Sequence, residues 1–247
     1  MSVTTNLRDD GVVVVTVDYP PVNAIPVQGW HDLAAALRVG SDARAVVLRA
    51  VGRGFCAGID IKEVQRDGHA ALVGVNAGCA AAFAAVYDCP VPVVAAVHGF
   101  CLGGGVGLVG NADVVVASED ARFALPEVDR GALGAATHLA RLVPQHLMRT
   151  LYYTAGSVTA AELHHHGSVF RVVPRPSLDA AALEVAGAIA AKDPRVIRAA
   201  KQALNGIDPQ HVHRSYRYEQ GFTFELNLLG AGDEARAAFL SGDSHAG

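Results

Sequence analysis

The chain has 247 residues, half of them hydrophobic and under a fifth charged, so a sizeable core is available and disorder is excluded. A formal charge of −4 supplies no basic field, which argues against nucleic acid as a partner. Four cysteines without a CxxC pair, no basic-then-apolar leader, and apolar runs broken before ~18 residues predict a reducing, cytoplasmic setting and no membrane span.

In chain order, Val12 to Val17 (VVVVTV) is β-branched and short, as a buried strand should be. PPVNAIP (20–26) is a turn-rich connection, and GWHDLAAALRVG (29–40) reads as a helix ended by Gly40. A strand at 45–48 leads into the small-residue loop GRGFCAGID, and an alanine-rich helix is expected over 70–86. A strand at 92–97 precedes the stretch CLGGGVGLVGNAD, and another follows at 113–117. A short extended piece at 121–124 runs into the loop PEVDRG, with helices predicted at 137–142, 145–154 and 159–165 and a strand at 170–173. Beyond about residue 175 every segment reads as helix: 178–191, 195–204 and 209–228. The alternation argues an α/β core over residues 1–190, with a helical region over 191–247.

Five glycines within Cys101–Asp113 require a chemical explanation. Gly105-Val-Gly107-Leu-Val-Gly110 matches G-x-G-x-x-G in form, but HGFCLGG separates it from the strand, and no βαβ unit with an acidic strand end follows. No Walker A lysine is present. Gly107 and Gly110 lie at helical spacing and suit close packing. Gly103 to Gly105 fit a loop entering a helix, where unpaired N–H groups stabilise an oxyanion and glycine admits a carbonyl. GRGFCAGIDIKE is a second loop of the same kind, and an oxyanion hole takes donors from two places.

His164-His165-His166 cannot converge on one ion, because adjacent helical residues point about 100° apart. No metal is therefore expected. No G-x-S-x-G elbow is present, and Cys56 reads as a small apolar filler.

The blocks GRGFCAGIDIKE, PVVAAVHGFCLGGGVGLVGNADVVVAS and ARFALPEVDRG resemble, in order, the three core blocks of the crotonase (enoyl-CoA hydratase/isomerase) superfamily. The resemblance implies a spiral of ββα units with a helical C-terminal region that builds a homotrimer or homohexamer. It implies an acyl-CoA thioester as substrate, coenzyme A entering as part of it, and no permanently bound cofactor. Carried onto this chain, the two oxyanion donors are the N–H groups of Ile59 and Gly104, and Glu127 of the Pro126-Glu127 pair is the catalytic carboxyl. Ala57, Gly58, Asp60, Lys62 and Gly103 are the expected substrate contacts on the two loops, with Lys62 meeting a CoA phosphate.

The pattern is also broken in an informative way. Hydratases of the superfamily carry a second glutamate where this chain has Gly107. Asp129, Arg130 and His138, on or just after the third block, are the polar candidates to take over its work. VDRGALGAATHLARLVPQHLMRTLYYTA, YPPVNAIP and YRYEQGFTFELNL resemble an actinobacterial branch acting late in cholesterol breakdown, which opens a ring of a bicyclic dione CoA thioester by hydrolysis. The alternatives are an enoyl-CoA hydratase or isomerase of fatty-acid type, and a non-catalytic acyl-CoA binding protein.

Overall fold

The computed structural model describes residues 2–241. Its chain repeats one pattern, in which a long strand leads to a short strand in a different sheet and then to a helix. After β1 (Ser2–Leu7), the first repeat is β2 (Val12–Asp18), β3 (Ala24–Ile25) and α1 (Val27–Ala36). The second is β4 (Ala45–Ala50), β5 (Gly58–Ile59) and α2 (Ile61–Tyr87). The third is β6 (Val93–Val97), β7 (Phe100–Leu102) and α3 (Gly104–Val109). The fourth is β8 (Val114–Ser118), β9 (Arg122–Ala124), a 3₁₀ turn (Pro126–Arg130), α4 (Ala136–Leu139) and α5 (Gln145–Tyr153). There follow β10 (Ser157–Thr159), α6 (Ala160–His165), β11 (Arg171–Val173), α7 (Leu178–Ala190), α8 (Pro194–Gly206), α9 (Val212–Leu228) and α10 (Ala231–Ser241).

The long strands form a six-stranded sheet in the order β1-β2-β4-β6-β8-β11, and the short ones form β10-β9-β7 and β3-β5. All pairs in the large sheet are parallel except β1 with β2. This is the spiral of ββα units expected from the sequence.

Parallel strands covered on both faces should be apolar throughout. β6 is buried at all five positions, and its side chains divide with period two. Val93, Ala95 and Val97 join the main core, while Val94 and Ala96 join the layer under α7 with Leu178, Ala182 and Ala186. β1 was not expected, because SVTTNL lies on an edge, largely exposed, and has no apolar face to read.

Helix α2 starts nine residues before the expected 70, capped by the Asp60 carboxylate accepting from Lys62 N and Glu63 N, and it kinks at Gly68. By length and composition α2 is apolar enough to cross a membrane, but just over half of its apolar window is buried inside the fold, as befits a core helix. Leu72, Val75, Cys79 and Phe83 make its inward stripe. The expected helix over 209–228 is α9, and α10 beyond it lies within the helical region expected over 191–247, where no separate helix was delimited.

Candidate functional site

Two loops leave the large sheet side by side, after β4 and after β6. They are zipped together by backbone bonds: Phe55 N to His98 O (2.9 Å), Cys56 N to Phe100 O (3.2 Å) and Leu102 N to Cys56 O (2.8 Å). Cys56 pairs with Cys101 across the zipper as a parallel bridge. Both thiols are buried, and burial pushes that of Cys56 up to about 12, so it is a packing atom and not a nucleophile.

The zipper brings the loop at Gly58 against the start of α3. An added Cβ on Gly58 (φ 92°) would lie 3.4 Å from Leu102 O and 3.7 Å from Gly104 N. On either side of Ile59, the Ala57 and Asp60 N–H groups are bonded to Asn23 O and Ile25 O. Gly104 opens α3, where first-turn N–H groups have no partner inside the helix. The ring of Trp30 closes over this residue, 2.6 Å from where a Cβ would stand.

Glu127 comes from the 3₁₀ turn after β9. Its Oε1 sits 2.5 Å from the Cβ position of Gly103, whose φ of 54° combined with ψ of −115° suits glycine. Its Oε2 is buried and has no hydrogen-bond partner. Burial pushes this carboxyl up to about 8; its own backbone N–H and the Arg130 charge oppose the rise, and Glu219 adds to it. Arg130 lies with its guanidinium 4.0 Å from the Phe239 ring centroid, and its Nε is also buried without a partner.

The loop after Glu127 is held from α9 and α5. The Glu219 carboxylate accepts from Ala136 N (2.9 Å), Thr137 N (2.6 Å) and the Thr137 hydroxyl, so it caps α4. The Tyr152 hydroxyl accepts from Gly134 N at 2.9 Å.

An inner cavity of about 100 Å³ opens beside Glu127 and is mostly apolar, with Leu72, Val75, Phe83 and Tyr216 in its wall. An outer groove of about 810 Å³ joins it, floored by the 19–26 turn and edged by Phe239 and Leu240 of α10. Gly58, Gly103, Gly104 and Glu127 line the inner cavity, Asp60 and Lys62 the outer groove, and Ala57, Ile59 and Arg130 both.

Two expected residues belong to neither. Asp129 is exposed on the outer side of its turn. His138 is fully buried behind Phe83 and Tyr216, with ring centroids 4.9 and 5.1 Å away, and its Nδ1 is bonded to Asn111 Oδ1 at 3.1 Å. Burial pulls His138 down to about 3, so it stays neutral in the core. Asp60 is at the groove, but its carboxylate is committed to capping α2.

The sequence reading missed Phe83, Asn76, Tyr216, Thr223 and Arg236, which reach the cavity from α2, α9 and α10. Phe83 is the consequential one. Its ring stands against Gly107 so closely that a Cβ there would overlap it. The position where hydratases carry their second glutamate is thus filled by a phenyl ring. Gly107 itself was the available signal, since a bare α-carbon beside a cavity implies that something else occupies the space.

The Enoyl-CoA hydratase/isomerase family model matches residues 8–226. A Rhodococcus jostii (strain RHA1) protein named (7aS)-7a-methyl-1,5-dioxo-2,3,5,6,7,7a-hexahydro-1H-indene-carboxyl-CoA hydrolase is 67% identical over 244 residues, covering 97% of this chain and 95% of the relative. A Mycobacterium tuberculosis (strain ATCC 25618 / H37Rv) protein of the same name is 66% identical, covering 97% and 99%. The crystal structure of an enoyl-CoA hydratase/isomerase from Xanthobacter autotrophicus Py2 superposes with a TM-score of 0.87 at 28% identity, covering 98% of this chain and 92% of that one. With the zipped glycine loops and the carboxyl they face, these matches place the chain in the enoyl-CoA hydratase/isomerase family.

Proposed function

We propose that this chain hydrolyses a carbon–carbon bond in the CoA thioester of a bicyclic dione. The observation that carries the reading is a lone carboxyl at the oxyanion loops, raised to about 8, with Phe83 standing where a second carboxylate would be. The two relatives at 67% and 66% identity, named as hydrolases of such a thioester, supply the substrate class.

Syn hydration of an enoyl group uses two carboxylates at once, one to deprotonate water and one to protonate carbon. Hydrolytic ring opening uses one carboxylate twice. Ionised Glu127 takes a proton from water as the water oxygen bonds to a ring ketone carbon. The bond from that carbon to a ring carbon conjugated with the thioester then breaks, and its electron pair passes into the thioester as an enolate. The Ile59 and Gly104 N–H groups hold the enolate oxygen, a role in which losing one donor costs about 3–4 kcal/mol. Protonated Glu127 returns its proton to a carbon of the enolate, and the new carboxylic acid loses its own to solvent. Arg130, with a free Nε–H beside Glu127, stabilises the alkoxide formed when water adds.

The outer groove takes the CoA portion, with Lys62 and Arg66 at its edge for phosphate charge. Exposed Tyr218, Leu228 and Leu229 on or just after α9 provide an apolar face for a trimer or hexamer.

The test incubates the protein with the dione thioester in ¹⁸O-labelled water, and separately with crotonyl-CoA. The expected result is one labelled oxygen in a new carboxylate and no loss of the enoyl absorbance. Rapid hydration of crotonyl-CoA without ring opening overturns the reading.

A further inference from the structure

A buried polar atom with no partner has lost its water and gained nothing, so such atoms are few and informative. Among the described residues, six side-chain atoms are in this state: Trp30 Nε1, Asn76 Nδ2, Glu127 Oε2, Arg130 Nε, His138 Nε2 and Arg236 Nε. Four of those residues (Asn76, Glu127, Arg130 and Arg236) line the inner cavity. The reaction above uses Glu127 and Arg130 and leaves Asn76 and Arg236, 8% and 5% exposed, without a task.

Both are held by a polar stripe on α9, where Gln220, Thr223 and Asn227 are buried at helical spacing. Gln220 Nε2 donates to Asn76 O (2.7 Å) and Asn76 Oδ1 (3.2 Å). The orientation is not arbitrary. Arg217 donates to Gln220 Oε1 at 2.6 Å, and a guanidinium can only donate, so the Gln220 amide must turn its NH₂ toward Asn76. Asn76 must then meet it with Oδ1, which leaves Nδ2 as the open donor. Arg236 is fixed in the same manner, with Nη2 donating to Asn227 Oδ1 (2.7 Å) and Asp233 Oδ1 (2.5 Å), and its Nε–H left over. Asn227 spends its own NH₂ on Thr223 O at 2.7 Å.

We propose that Asn76 and Arg236 form a second polar subsite, which hydrogen-bonds the carbonyl oxygen of the acyl group on the ring that stays closed. The proposal rests on the dione reading. A plain enoyl chain in this cavity would keep both donors dry and unpaired. A dione thioester instead carries three carbonyl oxygens, one for the Ile59–Gly104 pair, one for Arg130 and one for this subsite. The subsite is held from α9 and α10 and not from the oxyanion loops, so it reads a part of the substrate remote from the thioester. A site built around a buried donor discriminates strongly against a ligand that lacks the matching acceptor.

The experiment compares two CoA thioesters of identical ring skeleton, the dione and an analogue with a methylene in place of the ketone on the ring that stays closed. Wild type should prefer the dione by about tenfold or more in kcat/KM. Asn76→Leu should remove most of that preference by raising KM for the dione while leaving the analogue's KM nearly unchanged. Arg236→Lys keeps the charge and α10 but lacks the Nε–H, and should do the same. An equal loss on both thioesters means a structural role and overturns the proposal. So does a wild type with no preference, the result expected if the donors hold only water. If wild type cleaves neither thioester, the hydrolase reading fails. Equilibrium binding of the same pair to wild type and Asn76→Leu then decides the subsite: a preference lost in the variant sustains it, and a preference absent or unchanged overturns it.

Discussion

Replacing Glu127 with glutamine should abolish turnover and stabilise the fold, increasingly so as pH rises. The carboxyl stands at about 8 in the folded chain against an ordinary 4.5, and the first cause is burial. Below 4.5 the folded and unfolded chains both hold the proton, and the group costs nothing. Between 4.5 and about 8 the unfolded chain releases the proton while the folded chain keeps it, so stability falls by about 1.4 kcal/mol per pH unit. Above about 8 both states are ionised and the whole cost, about 5 kcal/mol as a ceiling, is borne by the folded state. Glutamine titrates nowhere, and every other group is common to both proteins. Urea unfolding of the pair at pH 5, 6.5 and 8 should therefore give a difference that starts small and grows in favour of the variant. A flat difference, or a less stable variant at pH 8, would refute the buried-carboxyl argument. The same ionisation governs the proposed water step: kcat/KM of wild type on the dione thioester should climb with pH and level off near 8, as a base in the free enzyme requires.

Gly107→Glu should not create a hydratase. Its Cβ overlaps the Phe83 ring, so the fold should lose about 3 kcal/mol or more in urea unfolding, and Phe83→Ala added to it should recover part of that loss. Gly103→Ala places a methyl on a residue at φ 54° and against Glu127 Oε1, so kcat/KM should fall at least about tenfold with a stability loss of about 1–2 kcal/mol. Simple additivity in the first pair, or a fully active Gly103→Ala, would show that the glycine loops have room to spare. Glu219→Ala strips the acceptor from Ala136 N, Thr137 N and the Thr137 hydroxyl, and should cost about 2–4 kcal/mol. Unchanged unfolding would mean that the loop after Glu127 does not depend on α9.

What could be read from the chain divides along physical lines. Val93 to Val97 is legible as a strand because both faces are buried and every side chain must be apolar. Ser2 to Leu7 is not, because an exposed edge leaves no pattern, and Gly58–Ile59 is too short to carry one. The two zipped glycine loops were legible because close backbone approach demands glycine locally. Phe83 was not, since within an alanine-rich helix it is one apolar residue among many, and only the tertiary approach of Gly107 gives it meaning. His138 misled for the opposite reason. It is polar and close in sequence to the turn that carries Glu127, but it lies in an aromatic cluster where burial keeps it neutral. Asn76 and Arg236 lie 51 residues before and 109 after Glu127, and only the packing of α2, α9 and α10 brings all three to one cavity.

The single carboxyl and its high proton affinity belong together. With a partner glutamate nearby, a base could stay ionised at neutral pH while the partner kept the proton. In the ring opening proposed above, one group alone must first accept a proton from water and later give it to carbon, so neither form may be too stable. A carboxyl at about 8 is roughly a tenth ionised at pH 7, enough to begin the ring opening proposed above, and its protonated form is acidic enough to finish it. Phe83 lines the same apolar cavity as Glu127, whose burial raises the carboxyl, so the ring that fills the second position is also part of the apolar wall around the remaining carboxyl.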